Sequence, residues 1–173
     1  MFKRPLDLAS LVAIAAVLLV SAELRHAEAA RLAADDVLRE IKSEGPGPVL
    51  WRLWDNPTRF DAVCDKIASG DPSWLEVARR LRPSSDAGAS LSLDYAVARA
   101  LPLVPERVLR LVNDGFTVDD ICTSPFIEPE PGVAERYQRR ASAALRGSLP
   151  SDLEAVRKEC LKRVEVPLHS TAQ

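Results

Sequence analysis

Few side chains in this sequence could carry out chemistry. Histidine occurs twice, as His26 and His169, so the stretch between them has no imidazole. That argues against Ser-His-Asp, Cys-His and His-metal mechanisms, which need an imidazole base or ligand. Nothing resembles a phosphate loop, a dinucleotide fingerprint or a zinc metalloprotease motif. Carboxylates cluster at Asp35-Asp36, Asp119-Asp120 and Glu128/Glu130. Two carboxylates held at a fixed separation hydrolyse glycosides. Neighbouring residues on a helix point about 100° apart, however, and do not face one another. These pairs therefore read as solvated faces or helix caps, and Asp71 and Asp86 as caps. The three cysteines, Cys64, Cys122 and Cys160, show no CxxC spacing and have no histidine nearby. No metal site and no cofactor are expected.

The cysteines instead pose a pairing question. Cys64 lies on the apolar stripe of a predicted helix and reads as a buried thiol. Cys122 borders a loop, and Cys160 sits on the inner face of the last helix. A Cys122–Cys160 bridge is the expected pairing; Cys64 with either of the others, or no bridge, are the alternatives. A bridge closing that loop contributes about 4 kcal/mol in the chain-entropy picture. Among the tryptophans, Trp74 falls on a helical stripe and belongs to the core. Trp51 and Trp54, at i and i+3 on a short helix between two turns, are the candidate exposed partner surface. Arg79-Arg80-Arg82 and Arg136/Arg139/Arg140 form basic patches without interleaved aromatics. They read as solvated helix faces, with an anionic partner surface as the minor option. The net charge of −2 lacks the footprint of a nucleic-acid binder.

The N-terminus carries a targeting pattern. Lys3 and Arg4 precede an uncharged apolar run from Leu8 to Ala22, 15 residues long, short of the ~20 that span a bilayer. Ala27-Glu28-Ala29 offers small residues at the −3 and −1 positions of a cleavage site, and Val20-Ser21-Ala22 offers a second. A cleaved secretory signal is the leading reading; an uncleaved membrane anchor and a buried helix are the others. The helix-forming residues after Ala22 keep the anchor open. Export to a periplasmic or secreted location makes a disulfide possible.

These residues must be positioned by helices. Hydrophobic residues make up 47% and aromatics only 5% of the 173 residues, a bias towards helix, and no stretch alternates with period two as a half-buried strand does. Helices are expected over Ala30–Ser43, Val49–Trp54, Pro57–Ser69, Pro72–Leu81, Leu91–Leu101, Glu106–Val112, a short turn at Thr117–Cys122, Val133–Arg146 and Pro150–Val164. Phe60, Val63, Cys64 and Ile67, and then Trp74, Val77, Ala78 and Leu81, repeat an i, i+3, i+4, i+7 stripe. The 91–101 helix is apolar on most sides and so belongs at the centre of the core. Gly45-Pro46-Gly47-Pro48 is expected to separate the first two helices, and Asn56-Pro57 and Asp71-Pro72 each pair a cap with a proline in the first turn. The fold class is all-α: an irregular multi-helix bundle, with an α-hairpin repeat array as the variant form. The expected organisation is residues 1–29 as signal or anchor, 30–166 as one helical domain and 167–173 as a flexible tail.

Ser69-Gly-Asp-Pro-Ser-Trp-Leu-Glu-Val-Ala78, followed by Leu81, Pro83, Asp86-Ala87, Ala96 to Leu101 and Pro105-Glu-Arg-Val-Leu109, resembles small exported helical proteins of bacteria that carry no assigned activity. The resemblance spans about 40 residues, rests on caps, tryptophan, proline and alanine, and implies only a helical, exported protein. Helical arrays present faces and grooves more readily than deep catalytic pockets. The expected role is a non-enzymatic exported domain that binds a protein partner in the cell envelope. A carboxylate-dependent envelope hydrolase and a membrane-anchored spacer are the alternatives. The sequence leaves the oligomeric state open.

Overall fold

A computed structural model describes residues 32–166. Residues 1–31, on which the expected signal or anchor and its two candidate cleavage points fall, and the expected tail at 167–173 lie outside the described residues. Residues 34–166 form one compact unit. Its elements are α1 (Ala34–Glu44), α2 (Pro46–Trp54), α3 (Pro57–Ala68), α4 (Pro72–Leu81), α5 (Ala87–Ala100), α6 (Pro105–Leu109), α7 (Val118–Ile121), α8 (Val133–Arg146) and α9 (Glu154–Val164). Short 3-10 turns at Arg82–Ser84 and Ser151–Leu153 follow α4 and precede α9. The all-α class is correct, with no strand among the described residues. No helix among them is long and apolar enough to cross a membrane.

Proline and capping chemistry set most boundaries. The first N–H groups of a helix have no intrahelical acceptor, so a proline there removes no hydrogen bond. α2, α3, α4 and α6 all begin on proline. Asn56 Oδ1 accepts from the Arg59 amide at 3.1 Å, and Asp71 Oδ1 accepts from the Ser73 and Trp74 amides. Thr117 and Asp120 form a reciprocal capping box at the start of α7.

Four expected boundaries are corrected. α1 begins at Ala34 rather than Ala30, with Leu32 and Ala33 outside the helix. The Gly45–Pro48 run does not separate α1 from α2. Gly45, at φ +89°, turns the chain, and Pro46 to Pro48 are already the first turn of α2. Two prolines fit there because the amides they lack would be unpaired anyway. α5 begins at Ala87 rather than Leu91, with Asp86 at the N-cap position but no side-chain cap bond. α6 stops at Leu109 rather than Val112. Asn113 (φ +68°) and Gly115 (φ +101°) reverse the chain there, and the Asn113 amide donates to the Phe116 carbonyl.

α5 is the central helix, packed against α3, α4, α6 and α7. Leu93, Ala96, Val97, Ala98 and Ala100 on it are fully buried. The two stripes on α3 and α4 are buried as their spacing requires. Each large buried side chain contributes about 2 kcal/mol. This packing, rather than propensity, holds helices that would be marginal in isolation at these lengths. The principal contacts join elements one to three places apart in order: α1 with α2 and α4, α3 with α5, α6 with α8, α7 with α9. That connectivity is the neighbour-to-neighbour packing of α-hairpins, in helices of unequal length.

Candidate functional site

The sequence-derived residues fall in two separate places. Cys122 and Cys160 are bonded, joining the end of α7 to the inner face of α9, and both are fully buried. Cys64 remains a thiol inside the core, and burial pushes it up to about 12. At that value little thiolate forms at neutral pH, so Cys64 is a poor nucleophile.

Trp51 and Trp54 lie on α2, as the i, i+3 spacing requires, and both reach solvent: Trp51 is 69% exposed and Trp54 40%. They differ in support. The Trp54 indole meets Phe60 edge-on, with ring centres 5.3 Å apart. It also lies so close to Gly88 at the start of α5 that a Cβ there would come within 2.9 Å of the ring. Trp54 is thus half-anchored and Trp51 projects beyond it. Trp74 is buried in the core, as expected.

Two of the three carboxylate clusters contribute to ion pairs, whereas Glu128 and Glu130 stay solvated and are in no ion pair among the described residues. Asp36 pairs with Arg39 and Asp119 with Arg163. Asp120 caps α7 and also approaches Arg82. Arg82 is the polar centre of the fold. Its Nε donates to Asp94 Oδ1 at 2.6 Å, its Nη2 lies 3.5 Å from Asp120 Oδ1, and its guanidinium stacks over Phe116. Burial pushes the Asp94 carboxyl above its usual range while Arg82 pulls it back. The cluster ties α4, α5 and α7 together by one guanidinium shared between two acids. Glu76 accepts from Arg79 and Arg80, and Arg79 first among them holds its carboxyl at about 2. The Arg79-Arg80-Arg82 patch is therefore neutralised within the molecule.

The second basic patch is different. Arg136 and Arg140, together with Arg99 from α5, surround a cleft of about 350 Å³ whose apolar lining is Pro102, Leu103, Phe126, Val133 and Tyr137. That volume is at the low end of ligand pockets. Tyr137 forms its floor: it is buried, its hydroxyl donates to the Ala98 carbonyl at 2.9 Å, and Phe126 meets it edge-on at 5.7 Å. Burial raises the Tyr137 phenol well above its ordinary range, so it stays protonated as a donor. Among the described residues, no carboxylate lies within ion-pair distance of Arg99, Arg136 or Arg140. By contrast, every arginine of α1 to α4 and of α9 is paired.

The sequence places Arg136 and Arg140 in one basic patch but does not reveal the cleft around them. A signal was present. Neither has an Asp or Glu three or four residues away on its helix, whereas Arg79 and Arg80 have Glu76 at those spacings. Arg99 and Phe126 join the cleft only in the folded chain, where the Tyr137 hydroxyl reaches the Ala98 carbonyl and Phe126 meets the Tyr137 ring. A second, more open groove of about 450 Å³ lies beside Gln138, Arg139 and Ser142, where Gln138 donates to the Val164 and Val166 carbonyls and Arg146 pairs with Glu165. Among the described residues no group of three or more His, Cys, Asp or Glu side chains is placed to hold a metal ion. Compared with protein-family models, curated proteins and solved structures, the chain matches none.

Proposed function

We propose that this chain is an exported helical domain that binds a protein partner in the cell envelope and performs no catalysis of its own. The observation that carries this reading is the Trp51–Trp54 pair on α2. Trp51 is left 69% exposed beside the half-anchored Trp54, and tryptophan is among the residues enriched at the hot spots of protein interfaces. The Cys122–Cys160 bridge and the charged, apolar and small-residue pattern at the N-terminus support the location, since disulfides persist in oxidising compartments. The likeness to small exported bacterial helical proteins is in keeping with it.

Capture from an envelope fraction on the immobilised full-length chain tests the reading, with the Trp51→Ala variant alongside. Trp51 is 69% exposed, so its removal should leave the fold intact. The parent should enrich one specific envelope protein. The variant should bind that protein with a loss of about 2 kcal/mol or more, as a hot-spot truncation does. Failure of the parent to enrich any partner, or equal binding by the variant, would overturn it.

A further inference from the structure

We propose that the arginine-rimmed cleft between α5 and α8 receives the Ile127–Glu130 loop of a second copy of this chain, in a reciprocal two-fold contact.

The cleft asks for an occupant with carboxylates and an apolar anchor. Three guanidiniums, from Arg99, Arg136 and Arg140, stand around an apolar floor, and no carboxylate of the described residues satisfies them. In a molecule that pairs most of its other arginines, that is an unspent positive charge over a concave apolar surface.

A segment with the complementary chemistry is on the same molecule. The chain leaves the cleft wall at Phe126 and runs through Ile127-Glu128-Pro129-Glu130-Pro131. Ile127 is 70% exposed. Glu128 and Glu130 are exposed, and among the described residues neither is in an ion pair. Glu128 holds φ +45°, the left-handed region that costs a non-glycine residue energy. Pro129 and Pro131 fix the backbone on either side of Glu130. The loop is thus stiffened in an outward form, and little conformational entropy is lost when it docks.

The loop does not fill its own cleft, because Ile127, Glu128 and Glu130 all reach solvent. A second copy can fill it. Loop and cleft adjoin at Phe126, so one two-fold axis places each loop at the other copy's cleft. This is the isologous geometry in which one surface patch is its own complement. Leu103, 51% exposed on the cleft rim, would be covered by the same contact as Ile127. Each half then sets two glutamates against three arginines, a pairing that steers association and fixes register.

Sedimentation of the full-length chain over a range of concentrations tests this. Two charge-reversed variants are compared, Arg136→Glu/Arg140→Glu and Glu128→Arg/Glu130→Arg, with circular dichroism confirming that each is folded. The N-terminal segment is common to all samples, so differences between them report on this contact. The parent is expected to form a dimer that weakens as salt is raised. Each variant alone should dimerise roughly a hundredfold or more weakly, because like charges then face each other. An equimolar mixture of the two should regain the dimer, since the reversed glutamates meet the reversed arginines. A parent that stays monomeric, a variant that dimerises as the parent does, or a mixture that stays monomeric would overturn the proposal. Trp51→Ala should leave the dimer unchanged, so failure here is distinguishable from failure of the partner reading.

Discussion

Replacing Cys122 and Cys160 together by alanine is expected to destabilise the domain by about 4 kcal/mol. The bridge closes a loop with a sequence separation of 38, and restricting the unfolded chain over that length accounts for about 4 kcal/mol at 25 °C. Both positions are fully buried, so losing the sulfur atoms adds up to about 1 kcal/mol of packing. With a urea dependence of about 2 kcal/mol per molar for a domain of this size, the midpoint should fall by about 2 M. The bridge also has a local role. It is the covalent tie between α7 and α9, and α7 is a four-residue helix that holds Asp120 against Arg82. Hydrogen exchange should therefore accelerate first at α7 and α9 in the variant. Thiol labelling of the unfolded parent checks the premise: one cysteine, Cys64, should react before reduction and all three after it. A loss of stability below about 1 kcal/mol, or labelling of more than one thiol before reduction, would refute the reasoning.

Arg82→Met should cost about 3 kcal/mol in urea unfolding, because it leaves the buried Asp94 carboxylate without its partner. Asp94→Asn in the same background should recover part of that loss. Glu76 sits at about 2 in the folded chain against an ordinary 4.5. The stability it contributes is present above pH 4.5 and is lost as the pH falls towards 2. Because its side chain is about a third exposed, Glu76→Gln should cost about 1 kcal/mol at neutral pH, and the difference from the parent should vanish in acid unfolding at about pH 2. Trp74→Ala should cost about 3–5 kcal/mol as a cavity in the core, whereas Trp51→Ala should leave the unfolding midpoint within about 0.5 kcal/mol of the parent.

The element order was legible because the chain marks its joints with local chemistry. Asn56-Pro57, Asp71-Pro72 and the Thr117–Asp120 box act over three or four residues, and each lies where its spacing placed it. The same local reasoning failed at Gly45–Pro48. Proline stops a helix from within but not in its first turn, because first-turn amides have no intrahelical acceptor, and Pro46 and Pro48 lie in that turn. The early start of α5 at Ala87 was hidden for a related reason. Gly88 is a weak helix former, but it lies under the Trp54 ring, where a Cβ would collide. Packing outweighed propensity there.

What the sequence determined by itself was periodicity and punctuation: an all-α chain, a central α5 apolar on most sides, a buried Trp74, and a Trp51–Trp54 pair outside the core. Each of these depends on residues within a turn or two of one another. The tertiary structure decided everything that depends on residues far apart in the chain. It settled the expected Cys122–Cys160 pairing over the alternatives with Cys64, across 38 positions. It sorted two basic patches of similar appearance into opposite fates. Arg79 and Arg80 had Glu76 within one helical turn, and Arg82 found Asp94 only when α4 met α5. Arg136 and Arg140 had no such neighbour, and packing brought them Arg99 and an apolar floor instead of a counter-charge. A guanidinium's spacing reports only the carboxylates on its own helix; whether its charge is cancelled depends on which other helix comes to lie beside it.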